Sequence, residues 1–347
     1  MTPRQRVLAA INLERPDRPP WLEIGVAGNV FGRVIGEEVV VNSGFHSLPD
    51  TGEYRKYLSQ AIRAAEALGL CGVPIKAWNP AFSDNKSAAG AKAHSREGLV
   101  RDMPTLQACL AAAPAVEDHA ASRCAGVYQE LMGRTGLFRP LLVGGVFSHA
   151  EASMGTAQFA IACHEQPELV ERLCEWQGHR TVEMIDALLQ HIEPDAILLA
   201  DDIAFKTSTF ISPDMLRRFV FPQYRRIAQR IQQTGLPMML HSDGNLSDVL
   251  EDLIEIGVQS VHPLENLAMD IRQVKRDYAG RVCLMGNLDV DIIERGNPGE
   301  VRRATEQLLS DMAGPGYIFA SGNSITQWAP VENVLAMAQA VRQATMP

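Results

Sequence analysis

Short apolar segments alternate with longer amphipathic segments along this 347-residue chain, and this alternation limits the folds open to it. The apolar segments have the length of buried strands, and the segments between them show helical spacing of their apolar residues. There are eight apolar segments, which begin near residues 21, 73, 141, 196, 237, 260, 282 and 317. Apolar strands joined by helical crossovers form a parallel sheet covered by helices, and eight such units favour closure into a (β/α)8 barrel.

Residues 1–347 are therefore predicted to form a single α/β domain, a (β/α)8 TIM barrel. The alternative is an open doubly wound sheet, which we disfavour because no Gly-x-Gly-x-x-Gly turn or Walker-type loop follows any predicted strand. An N-terminal helix is predicted over residues 3–13, because the proline-rich segment 15–20 ends it. Residues 27–52 and 79–101 contain many glycines and small residues, so we expect long loops that form lids over the C-terminal face.

Composition restricts the partners and the compartment. The net charge of −9 and the pI near 5.5 disfavour a nucleic-acid or anionic-membrane surface. No apolar run is long enough to span a bilayer, and the N-terminal residues lack the apolar core of an export signal. The six cysteines are scattered without a Cys-x-x-Cys pair, which is typical of reduced cytosolic thiols. We expect a cytoplasmic enzyme rather than a secreted or membrane protein.

The stretch Leu240–Asn245 carries the first chemical signal. It ends an apolar strand, and its His241 and Asp243 lie two positions apart, so both side chains point to the same side of that strand. Gly244 then turns the chain towards a predicted helix. The alternative for this one unit is a satisfied polar pair in a turn, but similar polar residues follow the other predicted strands.

In a closed barrel the carboxyl ends of the strands converge on one face, where the active sites of this fold lie. That convergence would collect ten polar residues: Glu23, Asp201, Asp202, His241, Asp243, His262, Glu265, Asn287, Asp289 and Asn323. So many carboxylates in one pocket need cations, hydrogen bonds or raised pKa values. They therefore predict metal ligation, proton transfer or binding of a polar or cationic group, with structural caps as the alternative for Asn287 and Asp289. Trp78 and Trp328 are expected to line the cavity, although core packing is the commoner role of tryptophan.

Several segments together resemble the uroporphyrinogen decarboxylase superfamily over nearly the whole chain. The resemblance depends on the order and spacing of Thr2–Ala10, Pro16–Pro20, Asp201–Asp202, Ile211–Pro213, His241–Asn245, Met285–Asp289 and Pro330–Asn333. It implies a (β/α)8 barrel, in agreement with the strand count. The superfamily includes porphyrinogen decarboxylases and zinc-dependent methyltransferases that move methyl groups between corrinoid proteins and thiols.

The two branches place different demands on the site. The resemblance implies, for a decarboxylase, an arginine-rich first strand and loop that bind substrate carboxylates, but the corresponding residues 21–28 contain no arginine. An acidic pocket would also repel a polycarboxylate. For a methyltransferase it implies a histidine and two cysteines that hold zinc: His241 matches the histidine, whereas Asp243 and Asn323 stand at the cysteine positions. A harder metal site that uses His241 and Asp243, with Glu23 or Asp202, is one alternative, and a pocket without metal is the other.

Three hypotheses follow. The first is a methyltransferase or demethylase for a small methylated substrate, with a corrinoid protein or tetrahydrofolate as acceptor and a homodimer as the expected assembly. The second is a lyase that removes carboxylate from a tetrapyrrole or a small acid. The third is a non-catalytic binding barrel. We predict that His241, Asp202 and Asp243 are the catalytic residues, and that His241 and Asp243 bind a divalent metal such as zinc. The residues predicted to bind substrate are Glu23, Asp201, His262, Glu265, Asn287, Asn323 and Trp328.

Overall fold

Seven strands form one parallel sheet whose spatial order follows the order of the chain. The computed structural model describes residues 1–39, 50–78, 81–83 and 98–344. The sheet strands are β1 (Ile75–Ala77), β2 (Pro140–Gly144), β3 (Ala196–Ala200), β6 (Met238–Ser242), β7 (Ser260–Pro263), β8 (Cys283–Met285) and β9 (Tyr317–Ile318). Two further strands, β4 (Ala204–Phe205) and β5 (Ser208–Thr209), form an antiparallel hairpin.

The eighth predicted strand is an extended segment that closes the ring between the first and last strands of the sheet. Leu22 donates its N–H to the Phe319 carbonyl (3.0 Å), and Phe319 donates to the Pro20 carbonyl (2.9 Å). On the other side, the Cys71 N–H donates to the Trp21 carbonyl (2.7 Å). These bonds join both edges of the sheet, which confirms the barrel.

Fifteen helices and one π-helical segment lie among the described residues, and most follow the predicted alternation. They are α1 (Pro3–Ile11), α2 (Gly28–Ile35), α3 (Thr51–Leu68), α4 (Met103–Ala111), α5 (Ala120–Met132), α6 (Phe147–Met154), α7 (Thr156–Glu165), α8 (Pro167–Leu189), α9 (Pro213–Met215), the π segment Leu216–Val220, α10 (Phe221–Gln232), α11 (Leu250–Ile256), α12 (Ile271–Asp277), α13 (Val290–Arg295), α14 (Pro298–Asp311) and α15 (Val331–Gln343). Helix α1 begins at a capping box in which Thr2 accepts from the Gln5 N–H, followed by proline in the first turn. In the part of the chain that the structure describes, no helix is long and apolar enough to cross a membrane.

The predicted lids need a correction. The stretch 27–52 is not one loop, because α2 occupies residues 28–35 and ends at Gly36, which adopts a positive φ of 69°. Residues 40–49 and most of the predicted lid at 79–101 lie outside the described residues. Sequence patterns also missed the β4–β5 hairpin, which follows β3 at the C-terminal face.

Alternation along the strands separates two apolar cores. Leu198 and Met239 belong to the cluster inside the ring, whereas Leu199 and Leu240 belong to the larger cluster between the strands and the helices. The α1 residue Val7 joins the inner cluster and covers the amino-terminal end of the ring. The other end of the interior, at the carboxyl ends of the strands, is where side chains can meet a substrate.

Candidate active site

His241 lies at the inward-facing end of β6, two residues beyond Met239, and it is buried. The parallel register places it beside His262 on β7. The two rings meet through their Nδ1 atoms, which are 2.8 Å apart. A hydrogen bond between two Nδ1 atoms requires that one ring carries the proton and the other accepts it. This contact leaves His241 Nε2 pointing away from His262 and fixes the plane of the ring.

Two carboxylates face His241 Nε2. The Oδ1 atom of Asp202 is 3.6 Å from it, and the Oδ1 atom of Asp243 is 4.0 Å from it. One ligand atom from each of the three residues lies within 4.8 Å of the others. The structure thus brings together the three residues predicted to carry catalysis, on the loops and strand ends that follow β3 and β6.

Contacts from the neighbouring loops hold the two carboxylates in place. Asn323 donates its side-chain amide to Asp243 Oδ2 (2.7 Å), and the Asp243 N–H donates to Asp202 Oδ1 (3.0 Å). The Asp243 Oδ1 atom is buried and has no hydrogen-bond partner among the described residues. Burial, together with the charges of Asp202 and Glu265, raises the pKa of Asp243 to about 7. A buried acceptor without a donor is costly, so this oxygen marks a place for a cation or a proton.

The donor set fits a divalent metal ion. Burial lowers the pKa of His241 and holds the pKa of His262 well below its usual range, which favours neutral rings. When the proton lies on His241 Nδ1, the Nε2 lone pair faces the carboxylates of Asp202 and Asp243. Nε2 and the two carboxylates are then three acceptors that repel one another, and a bound cation would relieve this repulsion. Imidazole nitrogen and carboxylate oxygen are ligands for zinc and for harder divalent ions. The contact between the two histidines matches the outer-sphere support that metal-binding histidines receive.

Lys76 also reaches this site, although the sequence analysis did not select it. On β1, Ile75 and Ala77 belong to the outer core, so Lys76 points into the ring. Burial lowers the pKa of Lys76 to about 7, and its charge lowers the pKa of His241. The sequence feature that could have identified Lys76 as a site residue is that it is a single lysine in an otherwise apolar strand.

Glu23, predicted to bind substrate, lies apart from the three residues around His241 and bonds to Trp21 and Ser321. Leu22 and Ile24 belong to the inner core, so Glu23 lies on the outer side of its segment with Trp21. Its Oε1 accepts from Trp21 Nε1 (2.7 Å) and from the Ser321 N–H (2.9 Å), and its Oε2 lies 2.5 Å from Ser321 Oγ. Glu23 therefore fastens the loop after β9 to the barrel wall.

Counting protons indicates that this arrangement of hydrogen bonds needs a protonated Glu23. Ser321 Oγ is 2.5 Å from both Glu23 Oε2 and the Asn323 carbonyl, but a hydroxyl has one proton to donate. Both contacts are satisfied if protonated Glu23 donates to Ser321 and Ser321 donates to Asn323. Burial raises the pKa of Glu23 to about 7, although its hydrogen bonds with Ser321 and Trp21 lower it. A raised pKa favours the protonated carboxyl group that these contacts need.

Replacing Glu23 by glutamine should therefore remove a pH dependence of stability. The folded protein binds the Glu23 proton more tightly than the unfolded chain, so wild-type stability falls as pH rises from 4.5 to about 7. The shift corresponds to roughly 3 kcal/mol, and glutamine can donate to Ser321 at every pH. Urea unfolding at pH 5 and pH 8 should show that Glu23→Gln gains stability relative to wild type at the higher pH. A pH-independent difference, or a relative gain only at pH 5, would contradict this assignment; exposed Glu332→Gln is the control.

Both oxygens of Asp201, predicted to bind substrate, accept hydrogen bonds from the protein itself. Its Oδ2 accepts from the N–H groups of Val146 and Phe147 (both 2.7 Å) and from the Tyr224 hydroxyl (2.8 Å), and its Oδ1 accepts from the Ser148 N–H (2.6 Å). These amides belong to the start of α6, where a carboxylate stabilises unpaired N–H groups. Asp201 thus supports the α6 terminus.

The remaining predicted residues have different positions. Glu265 Oε2 accepts from the Gly244 N–H (2.9 Å), and the Asn287 side chain donates to the Leu264 carbonyl (2.6 Å), so both support loops at the rim. Asp289 caps α13, in agreement with the structural alternative. Trp328 is 72 % exposed, and no described contact joins its ring to the three acceptors around His241.

Residues 129–344, more than half of the chain, match the family model described as uroporphyrinogen decarboxylase (URO-D). The chain belongs to the uroporphyrinogen decarboxylase family. The matched residues include strands β2 to β9 and therefore Asp202, His241 and Asp243. The resemblance to this family was already evident in the sequence motifs.

Curated members of the family align over part of their length. A uroporphyrinogen decarboxylase of Anaeromyxobacter dehalogenans is 34% identical over 128 residues, which is 36% of this chain and 35% of that protein. A uroporphyrinogen decarboxylase of Coxiella burnetii is 27% identical over 184 residues, 52% of this chain and 48% of that protein. The alignments thus span about a third to a half of the length of these relatives.

A solved structure matches the whole fold. A methyltransferase from Methanosarcina mazei superimposes with a TM-score of 0.76 over 99% of both chains, at 18% sequence identity. At this identity the match concerns the fold alone. The family and the fold together place this chain among uroporphyrinogen decarboxylase-like proteins built on a TIM barrel.

Proposed function

We propose that this family member is a methyltransferase or demethylase that acts on a small methylated substrate. The observation that supports it is the set of Asp202, His241 and Asp243, whose ligand atoms lie within 4.8 Å of one another beside an unpartnered buried oxygen. These side chains would hold a divalent ion such as zinc. Bound there, the metal supplies Lewis acidity towards the oxygen, nitrogen or sulfur that carries the methyl group.

The protein's own residues prepare the site before substrate enters. His262 orients His241 through the Nδ1 contact, and Asn323 holds Asp243 at 2.7 Å. The rigid strand β6 and its neighbours therefore present nitrogen and oxygen donors without a costly rearrangement.

A methyl acceptor must approach the same mouth of the barrel. We propose a corrinoid protein or tetrahydrofolate for this role, because a strong external nucleophile is needed when the chain offers no thiolate at the centre. Among the described residues, all six cysteines lie away from the three acceptors; Cys71 and Cys283, for example, belong to the inner core. Burial raises the pKa of Cys283 to about 12, which keeps its thiol protonated.

Decarboxylation of a small carboxylic acid is the second candidate. The inward-facing Lys76 favours it, because an ammonium group in the cavity can bind a carboxylate. Uroporphyrinogen itself suits the site less well, since Asp202, Asp243 and Glu265 place several carboxylates near one another, and a polycarboxylate substrate would be repelled.

One assay separates the two candidates. Purified protein, loaded with zinc, is incubated with reduced cobalamin and, in separate reactions, methanol, methylamines, methyl thioethers and methoxyarenes. We expect methylcobalamin to form, by absorbance, with at least one donor class and not without protein. Release of carbon dioxide from uroporphyrinogen, with no methyl transfer from any donor to cobalamin or tetrahydrofolate, would overturn the proposed function in favour of a decarboxylase.

A further inference from the structure

The cavity has a positive side as well as a negative one. Lys76 enters it from β1, which lies two strands from β3 and three strands from β6, the strands whose ends carry Asp202 and Asp243. Its charge acts on His241, which places the ammonium group within electrostatic reach of the proposed reaction centre. Lysine in a cavity of low polarity is a strong point charge for an anionic ligand.

Gly25, in the segment that closes the ring, lies against this ammonium group. A Cβ atom on Gly25 would lie 3.1 Å from Lys76 Nζ and 2.9 Å from Ser324 Oγ. Because Gly25 has no side chain, the ammonium and the hydroxyl can converge beside its backbone. Ser324 is itself fixed, since its N–H donates to Asn323 Oδ1 (2.6 Å).

Asn323 links the two sides of the cavity. Its amide nitrogen holds Asp243, while its oxygen accepts from the backbone of Ser324. The positive side is thus held at a fixed separation from the carboxylates by one short side chain. A ligand that spans this separation must carry different groups at its two ends.

A further donor lies on the same face of the strand. Trp78 follows Lys76 by two residues, so both side chains point into the ring. The Trp78 Nε1–H is buried and has no hydrogen-bond acceptor among the described residues. A buried indole N–H normally finds a partner, and a ligand oxygen would supply one.

We propose that Lys76 and Ser324 form a carboxylate subsite, which makes small methylated carboxylic acids the substrate class of this enzyme. The carboxylate lies at Lys76, and the heteroatom that bears the methyl group lies towards Asp202 and Asp243. The assignment of a methyl-bearing heteroatom to the side of Asp202 and Asp243 rests on the proposed function. The carboxylate subsite does not, because a carboxylic acid would bind Lys76 equally in a decarboxylase.

Binding to wild-type protein tests the subsite without any turnover. Isothermal titration calorimetry at pH 6.5 compares methoxyacetate with methoxyacetamide, and 4-methoxybenzoate with 4-methoxybenzamide. A charge-assisted hydrogen bond should make at least one acid bind about tenfold or more tightly than its amide. Equal affinity of acid and amide in both pairs, or no binding of either acid, would overturn the proposal.

Variants of Lys76 and Gly25 test whether the preference for the acid over the amide depends on these two residues. Lys76→Met should abolish the preference for the acid, Lys76→Arg should retain part of it, and Gly25→Ala should weaken it by placing a methyl group beside the ammonium. Lys56→Met, at an exposed position on α3, is the matched control and should leave the preference unchanged. A preference that persists in folded Lys76→Met would overturn the assignment. If Lys76→Met does not fold, the Gly25→Ala result decides: an unchanged preference contradicts the subsite.

A chemical test excludes a different use of this lysine. An amine with a lowered pKa can form an imine with a carbonyl substrate. Treatment of wild type with methoxyacetaldehyde and borohydride, followed by peptide mass analysis, should show no more modification at Lys76 than at exposed lysines. Selective reduction of an adduct onto Lys76 would overturn its role as an anion-binding group. A confirmed acid preference without methyl transfer would leave the subsite intact and reject only the proposed function.

Discussion

Replacement of His241 by alanine is expected to remove metal binding and activity together. His241 contributes the single nitrogen of the Asp202, His241 and Asp243 set, so its loss leaves two carboxylates that face each other without the third donor. Loss of a ligand should lower metal affinity by at least about a hundredfold, as loss of outer-sphere partners alone costs up to that amount. The measurement is zinc content by mass spectrometry after dialysis, paired with turnover.

Two further variants make this result specific. His262→Ala removes the partner of His241 Nδ1 and should reduce zinc affinity less than His241→Ala does. His191→Ala, at an exposed position, should retain the wild-type zinc content. Equal zinc content in wild type and His241→Ala would remove His241 from any metal site and leave it the role of general acid.

Replacement of Asp201 by alanine should cause a large loss of stability with no direct effect on substrate contacts. The change would leave three backbone N–H groups at the start of α6 and the Tyr224 hydroxyl without their acceptor. A buried donor left without its acceptor costs about 1–3 kcal/mol, so the loss of four such bonds should cost several kcal/mol. Urea unfolding at neutral pH measures this free energy.

The control for Asp201 separates charge from acceptor geometry. Asp201→Asn keeps one oxygen and should lose less stability than Asp201→Ala, while exposed Asp214→Ala should change stability little. A stability loss in Asp201→Ala no larger than that of Asp214→Ala would show that the α6 amides find other acceptors.

The barrel could be predicted because its signal is distributed over the whole chain. Seven of the eight apolar segments became strands of one sheet, in chain order. The eighth, near Trp21, was located correctly, but its pairing depends on backbone contacts with Phe319 and Cys71 that no local pattern reveals. The helix α2 and the β4–β5 hairpin were missed because glycine-rich and polar segments give no clear periodicity.

The sequence did not show on which side of its strand each candidate site residue lies. In a parallel barrel both faces of a strand are buried, so the sequence alternation that reveals orientation in half-exposed sheets is weak. Leu22 and Ile24 turned out to face inward, and Glu23 therefore faces outward. The pair Asp201 and Asp202 divides in the same way: the first supports α6, and the second faces His241.

His241 and Asp243 could be predicted because their spacing of two, at the end of a strong strand, fixes a common direction. Lys76 was missed for the opposite reason. It lies in a short three-residue strand, and its proximity to Gly25 and Ser324 arises from closure of the ring rather than from a local motif.

The most direct test of the account is an anomalous difference map from crystals of the zinc-loaded protein, measured above the zinc absorption edge. We expect one strong peak about 2.0–2.3 Å from His241 Nε2 and from one oxygen each of Asp202 and Asp243. Crystals that bind zinc elsewhere and show no peak at this position would contradict the proposed metal centre, as would coordinates in which these three side chains open onto separate parts of the molecule.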